Sequence, residues 1–240
     1  MSIRLRATLA MVLAVGLLGD IRASDAPDAE VNPVTGKIES VGEELVGSDF
    51  DLRHTVDPGQ GAPAETTLLT SAVANDRRPR IAITPTGQAW VAWWRDGSTD
   101  AVLVRKRDTA GAWQTERVAS LPGQNSYHPE IVYSSGHPWV AYEFDTTGGT
   151  GIAAVAIDDT PDPFGRVTLA TSTVAGDPSV QIHAEPAHLW VTWIQDATTM
   201  GWSELDPVSQ TWLPVAFEAY DAATGVAGAR SRIRIQVLAP

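Results

Sequence analysis

A four-residue strand signature, met three times, constrains this chain more than any other feature. Trp90-Val91-Ala92-Trp93 returns as Trp139-Val140-Ala141-Tyr142 and again as Trp190-Val191-Thr192-Trp193, at intervals of 49 and 51 residues. Each copy follows a proline-led run of alternating apolar residues: Pro79–Ile83, Pro129–Tyr133 and Pro178–Ile182. Alternation places those apolar side chains on one face of a pleated strand. The W-V-x-aromatic segment is apolar on both faces, as a strand packed between two neighbouring sheets must be. Shorter strand patterns follow each copy, such as Ala101–Val104 and Ile152–Ile157. Four short strands per repeat of this length make one supersecondary unit copied along the chain, which is the pattern of a β-propeller.

The fold expected is therefore all-β, with blades of about 50 residues and four strands each. Full blades span 79–120, 129–172 and 178–221, with partial blade strands at 64–71 and 230–238. The last of these, Arg230–Ile235, resembles Arg78–Ile83 in its pattern. The propeller region is 63–240, and 24–62, acidic and rich in turn residues, reads as an irregular leader. Strands without partners at both ends offer free edges, so self-association through open ends is an expectation. The other outcomes are a composite fourth blade made from the two ends and a chain that is a truncated piece of a larger propeller.

Residues 1–23 have the pattern of a signal peptide: Arg4 and Arg6, then the apolar run Ala7–Leu18, then a small residue, Ala23. That run is too short to span a bilayer, which needs about 20 apolar residues. Export to the periplasm or the medium is expected, with no membrane span after cleavage. The absence of cysteine rules out disulfides and a thiol nucleophile. A formal net charge of −12 repels phosphate backbones, so nucleic acid is not an expected partner.

The proline-led strand, the W-V-A-W strand and the turn Asp108-Thr109-Ala110-Gly111-Ala112-Trp113 together resemble blades of the sialidase-like propeller superfamily. The resemblance covers about 64–237, and fucose-binding propeller lectins look similar at this level. It departs from the family's Asp-box, S/T-x-D-x-G-x-T-W: Lys106 stands at the hydroxyl position and Gly111 comes one residue late. The turn Asp206–Trp212 has no glycine at all. The Asp-boxes are thus not intact. As sialidases, such proteins would be expected to clamp a carboxylate with three arginines and to pair a tyrosine with a glutamate.

In propeller topology the loops entering each first strand share a face with the loops joining second and third strands. By that analogy the ligand-binding candidates are Arg78, His128 and Asp177, equivalent positions just before the first-strand prolines, with Tyr127, Trp94, Arg95, Asp96, Asp145 and Asp196. Trp94 could stack on a sugar ring beside charged residues that bond its hydroxyls, or simply pack between blades. The aspartates could act as glycosidase carboxylates, although aspartates in such loops mostly form turns. Asp158, Asp159 and Asp162 lack the glycine-pivoted pattern of a calcium loop, and the histidines lack zinc spacing. No catalytic residue, metal or cofactor is assigned. The expected function is an exported, non-catalytic propeller that binds a glycan or protein ligand through its loop face. A sialidase-like glycoside hydrolase and a degenerate or truncated propeller are the alternatives.

If the W-V-x-aromatic strand is core, Trp139→Ala should cost about 3–5 kcal/mol, measured by urea or thermal unfolding.

Overall fold

The computed structural model describes residues 27–59, 61–71, 73–157, 164–173, 178–185, 188–206 and 208–219. Four antiparallel sheets account for them, each of four strands hydrogen-bonded in chain order. The first holds β1 (Asp28–Val31), β2 (Ile38–Val46), β3 (Asp49–Asp57) and β4 (Glu65–Leu68). The second holds β5 (Asn75–Ile83), β6 (Ala89–Asp96), β7 (Ala101–Lys106) and β8 (Arg117–Val118). The third holds β9 (Ser126–Ser134), β10 (His137–Thr146), β11 (Gly149–Ala156) and β12 (Phe164–Thr173). The fourth holds β13 (Gln181–Glu185), β14 (His188–Ile194), β15 (Thr199–Leu205) and β16 (Ala216–Ala219). The expected signal peptide and the strand at 230–238 lie outside the described residues. Among the described residues, no helix is long and apolar enough to cross a membrane.

Three apolar seams join the sheets in sequence. Val41, Leu52, Ile81, Val91 and Trp93 fill the first, between sheets one and two. Trp90, Ala92, Val102, Val140 and Tyr142 fill the second. Trp139, Ala141, Ile182, Val191 and Trp193 fill the third. Within β6 and β10, alternate residues thus face opposite neighbours, as the two-sided apolar pattern requires. In the fourth sheet Trp193 lies flat on its own cross-strand partner: a Cβ on Gly201 would come within 2.4 Å of the indole. Only glycine fits beneath that ring.

The first sheet corrects the sequence reading, which took 24–62 for an irregular leader and saw only 64–71 as a strand. By the face it presents, Glu39 holds the place that Trp90 and Trp139 hold in the next two sheets, and Val41 that of Ala92. A carboxylate has replaced the signature tryptophan, so the repeat does not show. Glu39 is only 1% exposed. It accepts hydrogen bonds from Asn32 Nδ2 (2.7 Å) and Arg107 Nη2 (2.5 Å to each oxygen), and pairs with His54 Nε2 at 3.0 Å. Arg107 belongs to the second sheet, so this polar hub does between sheets what a tryptophan does elsewhere.

A second correction concerns the prolines. Pro79 and Pro129 do not open their strands; β5 and β9 begin four and three residues earlier. Each proline sits in a β-bulge, where a missing N–H breaks no ladder bond.

The turns that depart from the Asp-box pattern are still closed by their aspartates. Asp108 Oδ1 accepts from the backbone N–H of Ala110 and Ala112, both at 2.9 Å. Asp206 Oδ1 accepts from Val208 (2.7 Å) and Ser209 (3.0 Å). Gln210 takes the left-handed conformation that Gly111 takes in the other turn, with φ of 54° against 90°. The tryptophans that end these turns reach back to the preceding sheet: Trp113 lies edge-on to His54, and Trp212 edge-on to Trp139.

Burial alone would raise the Glu39 carboxyl, but His54, Asn32 and Arg107 together outweigh it and hold the group at about 2. A depressed folded-state value adds stability above the ordinary carboxylate range, and that stability is lost as pH falls from about 4.5 towards 2. Acid titration of unfolding free energy should therefore show a steep loss in this window. Glu39→Gln should be less stable at neutral pH and lose less on acidification.

Candidate functional site at the loop face

Two bulges set the geometry of the loop face. Trp94 pairs with Arg77 and Ala92 with Arg80, so Arg78 and Pro79 together oppose Trp93. Likewise Tyr127 pairs with Glu143 and Glu130 with Ala141, so His128 and Pro129 together oppose Tyr142. Arg78 and His128 are both left-handed, at φ of 49° and 52°. Non-glycine residues in that region are strained, and a bulge of this kind re-aims the side chains around it. The equivalence of these two positions holds; Asp177, the third, lies outside the described residues.

The arginines are already engaged. Arg95 is gripped on two sides: Nε and Nη2 donate to Asp76 at 2.8 and 3.0 Å, Nη1 and Nη2 to Glu116 at 2.5 and 3.0 Å. Asp76 is fully buried and also accepts from Trp93 Nε1 at 2.8 Å, which makes it the anchor of the second sheet's loop-face end. Arg77 pairs with Glu43 at 3.0 Å while its guanidinium lies 3.6 Å over the Phe50 ring. The backbone N–H of Arg78 donates to the same Glu43 at 2.8 Å. These are structural forks between and within sheets.

A different set of candidates converges at the junction of sheets two and three. Trp94 leaves β6 towards the third sheet and lies half-buried against the His128 ring, edge-on at 5.6 Å, and the Tyr127 ring at 6.3 Å. Tyr127 and His128 are 5.0 Å apart, again edge to face, the arrangement aromatic quadrupoles favour. The Tyr127 hydroxyl donates to Asp145 Oδ1 at 2.9 Å and lies 3.4 Å from Thr150 Oγ1. Asn125 Nδ2 holds the other oxygen of Asp145 at 3.0 Å. Burial, followed by the hydrogen bond to Asp145 and the charges of Asp145 and Glu143, pushes the Tyr127 phenol up to about 12, against a lowering by Thr150. At neutral pH it is protonated and donates to Asp145.

Glu143 is the residue that sequence reading missed. It follows Tyr142 as Trp94 follows Trp93, and no loop motif marks it. Its side chain is 1% exposed; Oε2 pairs with His128 Nδ1 at 3.0 Å, while Oε1 has no hydrogen-bond partner among the described residues. The one signal available was the cross-strand pairing of the bulged strand, which sets Tyr127 opposite Glu143.

The remaining candidates stand apart. Asp96 is exposed at the end of β6. Asp196 closes its own turn, accepting from the backbone N–H and hydroxyl of Thr198 at 2.8 and 3.0 Å. Among the described residues no group of three or more His, Asp or Glu side chains is arranged to hold a metal ion.

No protein-family model matches the chain, and no curated protein matches it. Solved structures do. A protein of unknown function from Dyadobacter fermentans superposes with a TM-score of 0.54 at 12% identity, over 66% of this chain and 46% of that one. Trypanosoma rangeli sialidase, in complex with the inhibitor DANA, gives 0.51 at 12% identity, over 78% of this chain and 37% of that one. An α-L-arabinofuranosidase from Clostridium thermocellum gives 0.53 at 12% identity, over 80% of this chain and 72% of that one. The chain spans less than half the length of the first two. Together with the four sheets, these likenesses define its class: an all-β protein with a β-propeller fold.

Asp76→Ala would orphan the buried Trp93 N–H and leave the Arg95 guanidinium held by Glu116 on one side only, so it should cost about 3–5 kcal/mol in denaturant unfolding. Adding Arg95→Met to that variant should cost little more, because the two losses are coupled.

Proposed function

We propose that the chain is an exported propeller that binds a glycan through its loop face, at the junction of the second and third sheets, without hydrolysing it. The observation that carries this reading is the cluster of Trp94, Tyr127 and His128 with Asp145 beside it. Partly exposed aromatic rings offer surface to the apolar face of a sugar, and a carboxylate accepts from its hydroxyls. Small-molecule sites commonly combine such apolar walls with a few convergent polar groups. The apolar N-terminal segment supports export.

A glycoside hydrolase is the second reading, favoured by the fold shared with a sialidase and an arabinofuranosidase. Two features weigh against it. Arg77 and Arg95, which a carboxylate clamp would need, are held by Glu43, Asp76 and Glu116. Tyr127, the tyrosine of that face, is pushed away from ionisation rather than towards it.

A panel of oligosaccharides titrated calorimetrically against the protein tests the proposal. Binding should appear for at least one glycan and weaken by about tenfold or more in Trp94→Ala, the loss of roughly one stacked ring. Chromogenic sialosides and arabinofuranosides should remain intact. Turnover that disappears in Tyr127→Phe would establish the hydrolase instead, and capture of a protein with no glycan binding would make the loop face a protein-docking surface.

A further inference from the structure

Resting on that reading, we infer that the glycan taken by the loop face carries a protonated amine: an amino sugar, in place of a neutral or carboxylated one. The first ground is the state of the arginines. Arg77 is paired with Glu43, Arg95 is shared by Asp76 and Glu116, and Arg78 is engaged as well. A sugar carboxylate would have to displace protein carboxylates to reach Arg77 or Arg95.

Glu143 supplies the second ground. It lies against His128 at the edge of the aromatic cluster, 1% exposed, with His128 on one oxygen and, among the described residues, no hydrogen-bond partner on the other. A buried carboxylate with half its acceptors unused is costly, and a cation close by reduces that cost. A ligand cation at the mouth beside it would offset part of that cost through space.

The mouth of the cluster suits the same ligand. Asp145 is exposed, and each of its oxygens, although bonded to Tyr127 or Asn125, keeps accepting capacity for an ammonium. Cations are attracted to aromatic faces such as those of Trp94 and Tyr127. The formal net charge of −12 draws a cationic glycan towards the protein and repels an acidic one. Asp145 is the group that would contact the amine. Glu143 is a positioning residue, which holds His128 and sets the local charge.

The test compares a β-1,4-glucosamine oligomer, its N-acetylated counterpart and sialyllactose by calorimetry with the full chain, at low and high salt. The glucosamine oligomer should bind about tenfold or more tightly than the acetylated one, with the advantage shrinking as salt rises. Glu143→Gln keeps the shape and removes the charge. The unliganded variant should melt no lower than the parent, yet lose the preference for the amine. Equal affinity for both oligomers, tighter binding of sialyllactose, or a preference retained in Glu143→Gln would overturn the inference. Should that variant fail to fold, Asp145→Asn, at the exposed mouth, is the second arm, and a preference retained there overturns it equally. Trp94-dependent binding of the acetylated oligomer with no amine preference would sink this inference and leave the glycan-binding reading standing. Binding of no glycan would remove both.

Discussion

Among the described residues no backbone ladder joins one sheet to the next, and everything else in the structure follows from how that gap is bridged. The first strand of each sheet has a free edge along which N–H and C=O groups stand unpaired, and buried groups of that kind must find partners. Side chains provide most of those seen, beside one backbone bond from Ser126 N–H to Asp100 at 2.9 Å. Asp28 accepts from the backbone N–H of Ile81 at 3.0 Å, and Glu30 from that of Ile83 at 2.9 Å, so two acidic residues of β1 stand in for a neighbouring strand. Further along, Arg80 reaches Glu130 across the next gap at 2.8 Å. At the loop face, Asn75 accepts from Phe50 N–H and Asn125 from Asp100 N–H, each at 3.2 Å, tying the start of one sheet to the hairpin of the one before. The apolar seams supply most of the attraction, but they are non-directional; these polar stitches fix how each sheet sits on the last.

Much of the architecture was legible because the seams demand large apolar residues on both faces of the second strand, and three of the four sheets meet that demand with the same letters. The fourth solution, Glu39 in place of tryptophan, is invisible to a search for aromatics, since its justification lies in Arg107, a residue 68 positions away. The acidic stretch around Asp28 and Glu30 suffered the same fate. Read locally, such residues are solvated; read in three dimensions, they satisfy another strand's backbone. The prolines misled for a related reason: a strand-start rule is sound, but a bulge tolerates proline equally well.

Residue type found part of the loop-face site. Trp94, Tyr127, His128 and Asp145 were identifiable from their loop positions, and they do come together. Arg95 was identifiable on the same grounds, yet it is locked between Asp76 and Glu116, because a guanidinium half-withdrawn from water draws in whatever carboxylates lie near. Position in a loop cannot distinguish an arginine offered to a ligand from one already consumed. Glu143 escaped notice because it lies inside a strand, where a carboxylate has no obvious reason to be.

One layer of the sheets differs from blade to blade. Glu43, Trp94, Glu143 and Ile194 occupy the same place, at the loop-face end of the second strand. Each of the first two meets the bulged strand of its successor: Glu43 meets Arg77 and Arg78, while Trp94 meets Tyr127 and His128. Sheets of nearly the same shape are therefore not interchangeable. Were the order of the repeats permuted, Glu43 would confront an aromatic pair, and Trp94 a pair of arginines stripped of their carboxylate. Chain order along the arc is written into this single layer, which gives each repeat a matched successor and makes a shuffled or swapped assembly the poorer fit.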